Sequence, residues 1–150
     1  MRRAYQIICH IISACVVIQA AVIAWSTFTI LNATNQGGAA FVEEGISGFI
    51  VHSAVGQLVI PLLVLTLLVI ALIGRIGIKW AAWLLVAVLV QLILGYSSFD
   101  IPGLGLLHGI NAFVILGLAE MGARAVGAEP SGAKKVRTPA AERTAMDDSA

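Results

Sequence analysis

Four ionisable side chains interrupt otherwise apolar stretches of the sequence, and they are its candidates for chemistry. They are His10, His52, His108 and Glu120. Imidazole is an acid or a base near neutral pH and is also a common metal ligand. An ionisable group inside a membrane is costly, so a residue of this type there is a functional candidate by default. What these side chains do therefore depends on the elements that carry them.

Long apolar stretches dominate the sequence. A helix that crosses a membrane needs about 20 mostly apolar residues. The sequence predicts four such helices, at about residues 4–31, 48–73, 80–97 and 104–126. The chain is 59% hydrophobic and only 11% charged, whereas about a quarter of the residues in soluble domains are charged. Residues 1–126 are therefore predicted to form one transmembrane domain, and the polar residues 127–150 a disordered cytoplasmic tail.

The basic residues predict how these helices are oriented. All nine Lys and Arg residues lie before the first helix, between the second and third, or at and beyond the end of the fourth. The positive-inside rule then places both termini in the cytoplasm. Short connections make successive helices antiparallel. The predicted fold is an all-α membrane protein, an up-down-up-down four-helix bundle in the plasma membrane, with a kink near Gln57 caused by Pro61.

Two of the histidines fall at one depth of this bundle. His52 and His108 each follow the predicted start of their helix by four residues, which is about 6 Å at 1.5 Å per residue. The second and fourth helices are diagonal partners, so inward imidazoles leave a slot for a flat macrocycle between them. Axial ligation of haem iron is the first hypothesis. A hydrogen-bonded structural pair and a proton or metal site are the alternatives that the sequence leaves open.

Small and amide side chains near the two histidines extend the candidate site. Gly56 lies one turn beyond the first histidine, and Gly109 and Ala112 follow the second. Small residues there leave room for a porphyrin edge, and they serve close helix packing equally well. Asn111 is interpreted either as a partner that orients a ligand histidine or as a contact between helices.

The other two ionisable residues have a structural interpretation. Glu120 precedes Arg124 by four residues, and this spacing favours an ion pair along one helix. His10 has no second histidine at its depth and is interpreted as a lone histidine near the inner membrane surface. Neither residue is assigned to the candidate site.

The site segments resemble those of a known family. The stretch Val90-Gln-Leu-Ile-Leu-Gly95, followed by a short connection and Leu107-His-Gly-Ile-Asn-Ala112, resembles a half-bundle of heme A synthase. It is still more similar to a family of small uncharacterised bacterial four-span membrane proteins with a histidine early in span 2 and Leu-His-x-x-Asn-Ala early in span 4. The resemblance covers residues 4–126. It implies that His52 and His108 ligate a b-type haem.

The first hypothesis implies a cytochrome b-like protein, because two imidazole ligands favour electron transfer over oxygen chemistry. The expected partners are the lipid bilayer and either a membrane quinol or a membrane redox complex, and a second copy of the chain is also considered. A non-redox accessory or assembly subunit is the alternative. A small proton-linked transporter is less favoured, because no acidic residue lies near the predicted midplane.

Other function classes lack their sequence signals. The chain contains no phosphate-binding loop, dinucleotide fingerprint, catalytic serine motif or cluster of zinc ligands. We therefore do not expect an enzyme by itself. Nucleic-acid binding is not expected either, because the basic residues of the tail are interspersed with acidic ones.

Overall fold

A computed structural model describes residues 1–37 and 43–128 of the chain. Its α-helices are α1 (Arg2–Asn35), α2 (Glu43–Ala54), α3 (Ile60–Gly74), α4 (Ile78–Ser97) and α5 (Leu104–Ala128). A π-helical turn, Val55–Val59, joins α2 to α3, and together they form the second of four spans. In the described part of the chain, four helices are long and apolar enough to cross a membrane. The predicted all-α membrane bundle with four helices is confirmed at this level.

The helix ends differ from the predicted ones by a few residues. The first helix extends to Asn35 and the second begins at Glu43, because helical hydrogen bonds continue beyond the apolar residues. The backbone amide of Gln36, for example, donates to the carbonyl oxygen of Asn32 at 3.2 Å. Gly127 and Ala128, predicted to begin the tail, belong to α5. The remainder of the predicted tail, 129–150, lies outside the described residues.

The four spans form a ring in which each contacts two neighbours. The first span packs on the second and on α5, and α4 packs on α3 and on α5. Within the described residues α2 makes no extended contact with α5, so the second and fourth spans lie on opposite sides of the bundle.

The buried core occupies one half of the bundle, which we call the closed half. Each span contributes fully buried side chains to it: Tyr5, Cys9, Ile12, Val64, Leu67, Ala71, Ala81, Leu84, Ala119 and Val126. The other half, which contains His52 and His108, is called the open half. Its buried residues are small or polar, namely Gln19, Ser26, Gly45 and Gly48. Helices in lipid are held together mainly by van der Waals packing, so the closed half stabilises the bundle and leaves the open half free to hold a ligand.

The closed half is tied together at the turn between α3 and α4. Gly77 has φ +57°, and a Cβ there would lie 2.7 Å from the side chain of Val126 and 2.8 Å from that of Tyr5. Only glycine suits both the positive φ and this close approach. The hydroxyl of Tyr5 donates to the carbonyl oxygen of Gly77 at 3.0 Å, which connects α1 to the turn.

Pro61 determines the path of the second span. Proline lacks a backbone N–H and its ring collides with the carbonyl four residues earlier, which here belongs to Gln57. The backbone adopts a π turn at Val55–Val59, and the Ile60 amide donates to the carbonyl oxygen of Val55. The helix after the π turn, α3, packs on α1 and α4. The helix before it, α2, packs on α1 and makes no extended contact with α4 or α5 in the described residues. The distortion lies where the sequence predicts a kink.

Two glycines bring α2 close to α1. A Cβ at Gly48 would overlap the Ser26 hydroxyl and lie 3.1 Å from the Ser26 Cβ, and a Cβ at Gly45 would lie 2.5 Å from Ile30. Small residues at these positions allow the two backbones to approach closely, as in other membrane helix pairs. The direction of α2 thus follows from the π turn at one end and from these glycines at the other.

Candidate functional site

A cavity of about 840 Å³ fills the open half of the bundle. All four spans line it, mostly with apolar side chains, and it rests on the top of the core at Val16, Ile60, Val88 and Ile115. Its volume falls within the range of about 300–1,000 Å³ that is typical of small-molecule and cofactor sites. The few polar side chains along the cavity wall are therefore the groups that could bind and orient a ligand.

The structure brings His52 and His108 together across this cavity. Both line it, and their ring centroids are 6.1 Å apart with the ring planes tilted by 58°. When two imidazoles bind one metal ion from opposite sides, the distance between their ring centroids has two parts. Two metal–nitrogen bonds of about 2 Å each and the distance from each bound nitrogen to its ring centroid add up to roughly 6 Å. The separation thus equals the span of two imidazoles on opposite sides of one metal ion.

The ring of His108 is oriented by α4. Its Nδ1 lies 3.1 Å from the backbone carbonyl oxygen of Gln91. A carbonyl oxygen only accepts, so Nδ1 carries the proton and Nε2 keeps a lone pair that can bind a metal. Gly95 makes room for the ring, because a Cβ there would lie 3.1 Å from Cε1 of His108. This arrangement of backbone acceptor, imidazole and free nitrogen is common among metal-ligating histidines.

Asn111 contacts the neighbouring helix rather than a histidine ring. Its amide nitrogen donates to the carbonyl oxygen of Ala87 at 2.8 Å and to the side-chain oxygen of Gln91 at 2.7 Å. The sequence left two interpretations for Asn111, a partner of a ligand histidine or a contact between helices. The structure shows the contact between helices. Because Gln91 also orients His108, Asn111 stabilises the residue that positions the histidine.

His52 has a buried ring nitrogen without a partner. Among the described residues neither its Nδ1 nor the side-chain oxygen of Gln19 has a hydrogen bond, and both atoms are buried. Gln19 donates from its amide nitrogen to the carbonyl oxygen of His52 at 2.7 Å. An unpaired buried polar atom typically costs about 1–3 kcal/mol. Because neither atom is accessible from the cavity, a ligand there would have to approach the other ring nitrogen of His52, Nε2.

The small residues predicted near the histidines also line the cavity. Gly56, Gly109 and Ala112 all belong to its wall. A Cβ at Gly109 would meet no atom within 4 Å, whereas one at Gly56 would lie 3.1 Å from the Gln19 amide nitrogen. Gly109 therefore borders open space, and Gly56 makes room for the amide that supports His52.

Three residues of the site were not assigned to it from the sequence. Gln19, Gln91 and Gly95 line the cavity and contact or support a histidine. Gln19 and Gln91 could have been assigned to the site because each is an amide side chain inside an otherwise apolar helix, one on the first span and one on the third. Nothing in the sequence distinguishes Gly95 from a glycine that only packs.

The remaining ionisable pair lies away from the cavity, between α1 and α5. Glu120 lies 3.1 Å from Nδ1 of His10 and accepts a hydrogen bond of 2.7 Å from Ser13. Arg124, the expected partner along the helix, interacts with Glu120 through its charge, whereas the described hydrogen bonds of Glu120 go to α1. Close packing of α1 on α5 brings these side chains within reach, and the i, i+4 spacing alone could not show that.

A protein-only metal site finds no support in the described residues. Within residues 1–37 and 43–128, no three His, Cys, Asp or Glu side chains come together to hold an ion. A metal ion at the cavity would receive two protein ligands, His52 and His108. Haem iron requires no more than two, since the porphyrin supplies four nitrogens.

No protein-family model, curated protein or solved structure matches the chain. The function must therefore be argued from the site itself.

Proposed function

We propose that this chain is a plasma-membrane protein that binds one b-type haem between His52 and His108 and transfers electrons. The observation that carries the proposal is the pair of imidazoles 6.1 Å apart at the wall of an 840 Å³ cavity. A structural histidine pair would not need a cavity of this size, and apolar side chains would fill it at little cost.

Each residue of the site has a part in this proposal. His52 and His108 would each provide a ring nitrogen to hold the haem iron, and the carbonyl oxygen of Gln91 keeps His108 in the tautomer that can bind. Gly109 and Ala112 leave space for the edge of the macrocycle. When bound, the haem supplies a one-electron ferric–ferrous couple. A haem held by two imidazoles would favour electron transfer over oxygen chemistry.

The proposed topology places the haem near the outer face. The nine basic residues favour an up-down-up-down bundle with both termini in the cytoplasm, so the open half faces outward. The described cavity wall contains no Lys or Arg, so the propionates would depend on water at the outer surface. The proposed electron partners are a membrane quinol or a membrane redox complex. The resemblance to a half-bundle of heme A synthase supports the haem assignment.

An absorption spectrum of the detergent-purified protein, titrated with haemin, tests the proposal. We expect a Soret band that saturates at one haem per chain and sharpens on reduction with dithionite, because two imidazoles hold the iron in both oxidation states. Haemin in the same detergent without protein is the control. A protein that stays colourless after haemin has been supplied would contradict the proposal.

Loss of the Asn111 amide should weaken haem binding without abolishing it. Asn111→Leu keeps the branched shape and the number of side-chain heavy atoms but removes both hydrogen bonds to α4. Changes to residues that orient a metal ligand typically reduce affinity by about 10–100-fold, and we expect a decrease in that range. Haemin titration followed at the Soret band measures it.

Asn32→Leu is the matched control, because Asn32 lies near the end of α1 and contacts Gln36 rather than the cavity wall. It should leave haem affinity unchanged. Equal affinities of the Asn111→Leu variant and the unmodified protein would show that Gln91 and His108 need no support from α5.

A further inference from the structure

The bundle has a gap between α2 and α4 at the level of the cavity. Over their whole lengths α1 packs on α2 and on α5, and α4 packs on α5, although Val17 on α1 and Phe113 on α5 also line the cavity and are exposed by 58% and 76%. Within the described residues, no extended contact joins α2 to α4, although α3 and α4 pack together on the other side of the π turn. The gap between α2 and α4 follows from the direction that the π turn and the glycines give to α2.

Aromatic side chains border this gap. Phe49 on α2, Tyr96 on α4 and Phe99 after α4 line the cavity and are at the same time exposed, by 42%, 59% and 87%. Residues that line a cavity and also face outward lie at its opening. Phe49 and Tyr96 belong to spans, whereas Phe99 lies two residues beyond the end of α4, so the gap opens sideways along the spans and reaches their end.

A single polar contact crosses the bottom of the gap in the part of the chain that is described. The hydroxyl of Tyr96 donates to the side-chain oxygen of Gln57 at 2.8 Å. Gln57 belongs to the π turn, where α2 diverges from α3. Hydrogen bonds between membrane helices are individually weak, so this one can break and reform while the rest of the bundle stays packed.

We infer that the cavity exchanges its ligand with the bilayer through the gap between α2 and α4, and that the Tyr96–Gln57 hydrogen bond latches this portal. The inference depends on the proposed function in taking haem as the ligand. Haem is a flat, mostly apolar molecule that dissolves in bilayers, and a lateral opening admits it without a path through water. The portal thus lies beside His52, whose side chain follows Phe49 by three residues on the same helix.

The rate of haem loading tests the portal. Apoprotein in lipid vesicles is mixed with haemin-containing vesicles, with apomyoglobin in the water to capture haemin that leaves the lipid. We expect the initial rate of Soret formation to be unaffected by apomyoglobin. Tyr96→Phe removes the latch, and loading should become about fivefold faster, as expected for one hydrogen bond between membrane helices.

Tyr5→Phe is the matched control, because it removes the same atom from a hydrogen bond at the opposite end of the bundle. Its loading rate should equal that of the unmodified protein. Loading that apomyoglobin abolishes, or a Tyr96→Phe variant that loads at the original rate, would overturn the inference.

A measurement without haem separates the portal from the proposed function. Ala112, which lines the cavity from α5 and is partly buried against the core, is replaced by cysteine in a Cys9→Ala/Cys15→Ala background and carries a nitroxide label. Collisions with lipid-dissolved oxygen should exceed those with a water-soluble nickel chelate, as at the exposed position Val69 on α3. This result supports the portal even if no haem binds, whereas greater access for the nickel chelate overturns it.

Discussion

Alanine in place of either His52 or His108 should eliminate the haem signal of this protein. In the proposed site, each substitution removes one of the two nitrogens that would hold the iron and leaves a wider cavity. We expect haem affinity to fall by more than about 100-fold, beyond the range for residues that only orient a ligand. The ratio of haem to protein after purification and the reduced-minus-oxidised spectrum measure the effect.

His10→Ala is the matched control for these variants. His10 is also an imidazole on a span, but it contacts Glu120 between α1 and α5, and its loss should leave the spectrum unchanged. His52→Gly and His108→Gly in the presence of free imidazole offer a second check, since added imidazole should restore part of the Soret band if only the ligand is missing. A full signal in the His108→Ala variant, or a loss confined to His10→Ala, would refute the assignment.

Gly48→Ala should destabilise the bundle strongly for so small a change. The added Cβ would overlap the Ser26 hydroxyl and lie 3.2 Å from the carbonyl oxygen of Val22, so α2 must move away from α1. Overpacking of this kind typically costs about 1–3 kcal/mol, and we expect about 2 kcal/mol here. Unfolding of the purified protein by increasing SDS in mixed micelles, followed by circular dichroism, measures the difference.

Two further variants test whether the contact itself is the cause. Gly117→Ala adds the same methyl group where nothing lies within 4 Å, so it should be neutral or stabilise the helix by up to about 1 kcal/mol. Ser26→Gly removes the two atoms nearest the new methyl and should recover most of the loss in a double-mutant cycle. Equal effects of Gly48→Ala and Gly117→Ala would mean that α1 and α2 are not closely packed at Ser26.

The number and approximate positions of the spans could be predicted because each span must satisfy the bilayer separately. Hydrocarbon requires about 20 consecutive apolar residues, and this requirement is visible in the sequence without any knowledge of tertiary contacts. The distortion near Gln57 was predictable for a similar reason. The missing N–H of Pro61 and the position of its ring are local properties of the chain.

The partners of the polar side chains were less predictable. Glu120 has Arg124 at a favourable spacing on its own helix, yet its hydrogen bonds go to His10 and Ser13 on α1. Asn111 bonds to α4 rather than to a histidine ring. Sequence spacing describes neighbours along one helix, whereas a polar group in a membrane bonds to whichever partner the packed helices bring closest.

The sequence by itself determined that the chain has four apolar helices, because a span requires a fixed apolar length. It predicted one depth for His52 and His108 from equal distances to the helix starts, but α2 begins at Glu43, nine residues before His52, whereas α5 begins four residues before His108. Only the tertiary structure decided that the rings lie 6.1 Å apart, that both line one cavity and that no extended contact joins α2 to α4 in the described residues. These features depend on the direction of α2, which results from the π turn acting together with the contacts of Gly45 and Gly48 on α1.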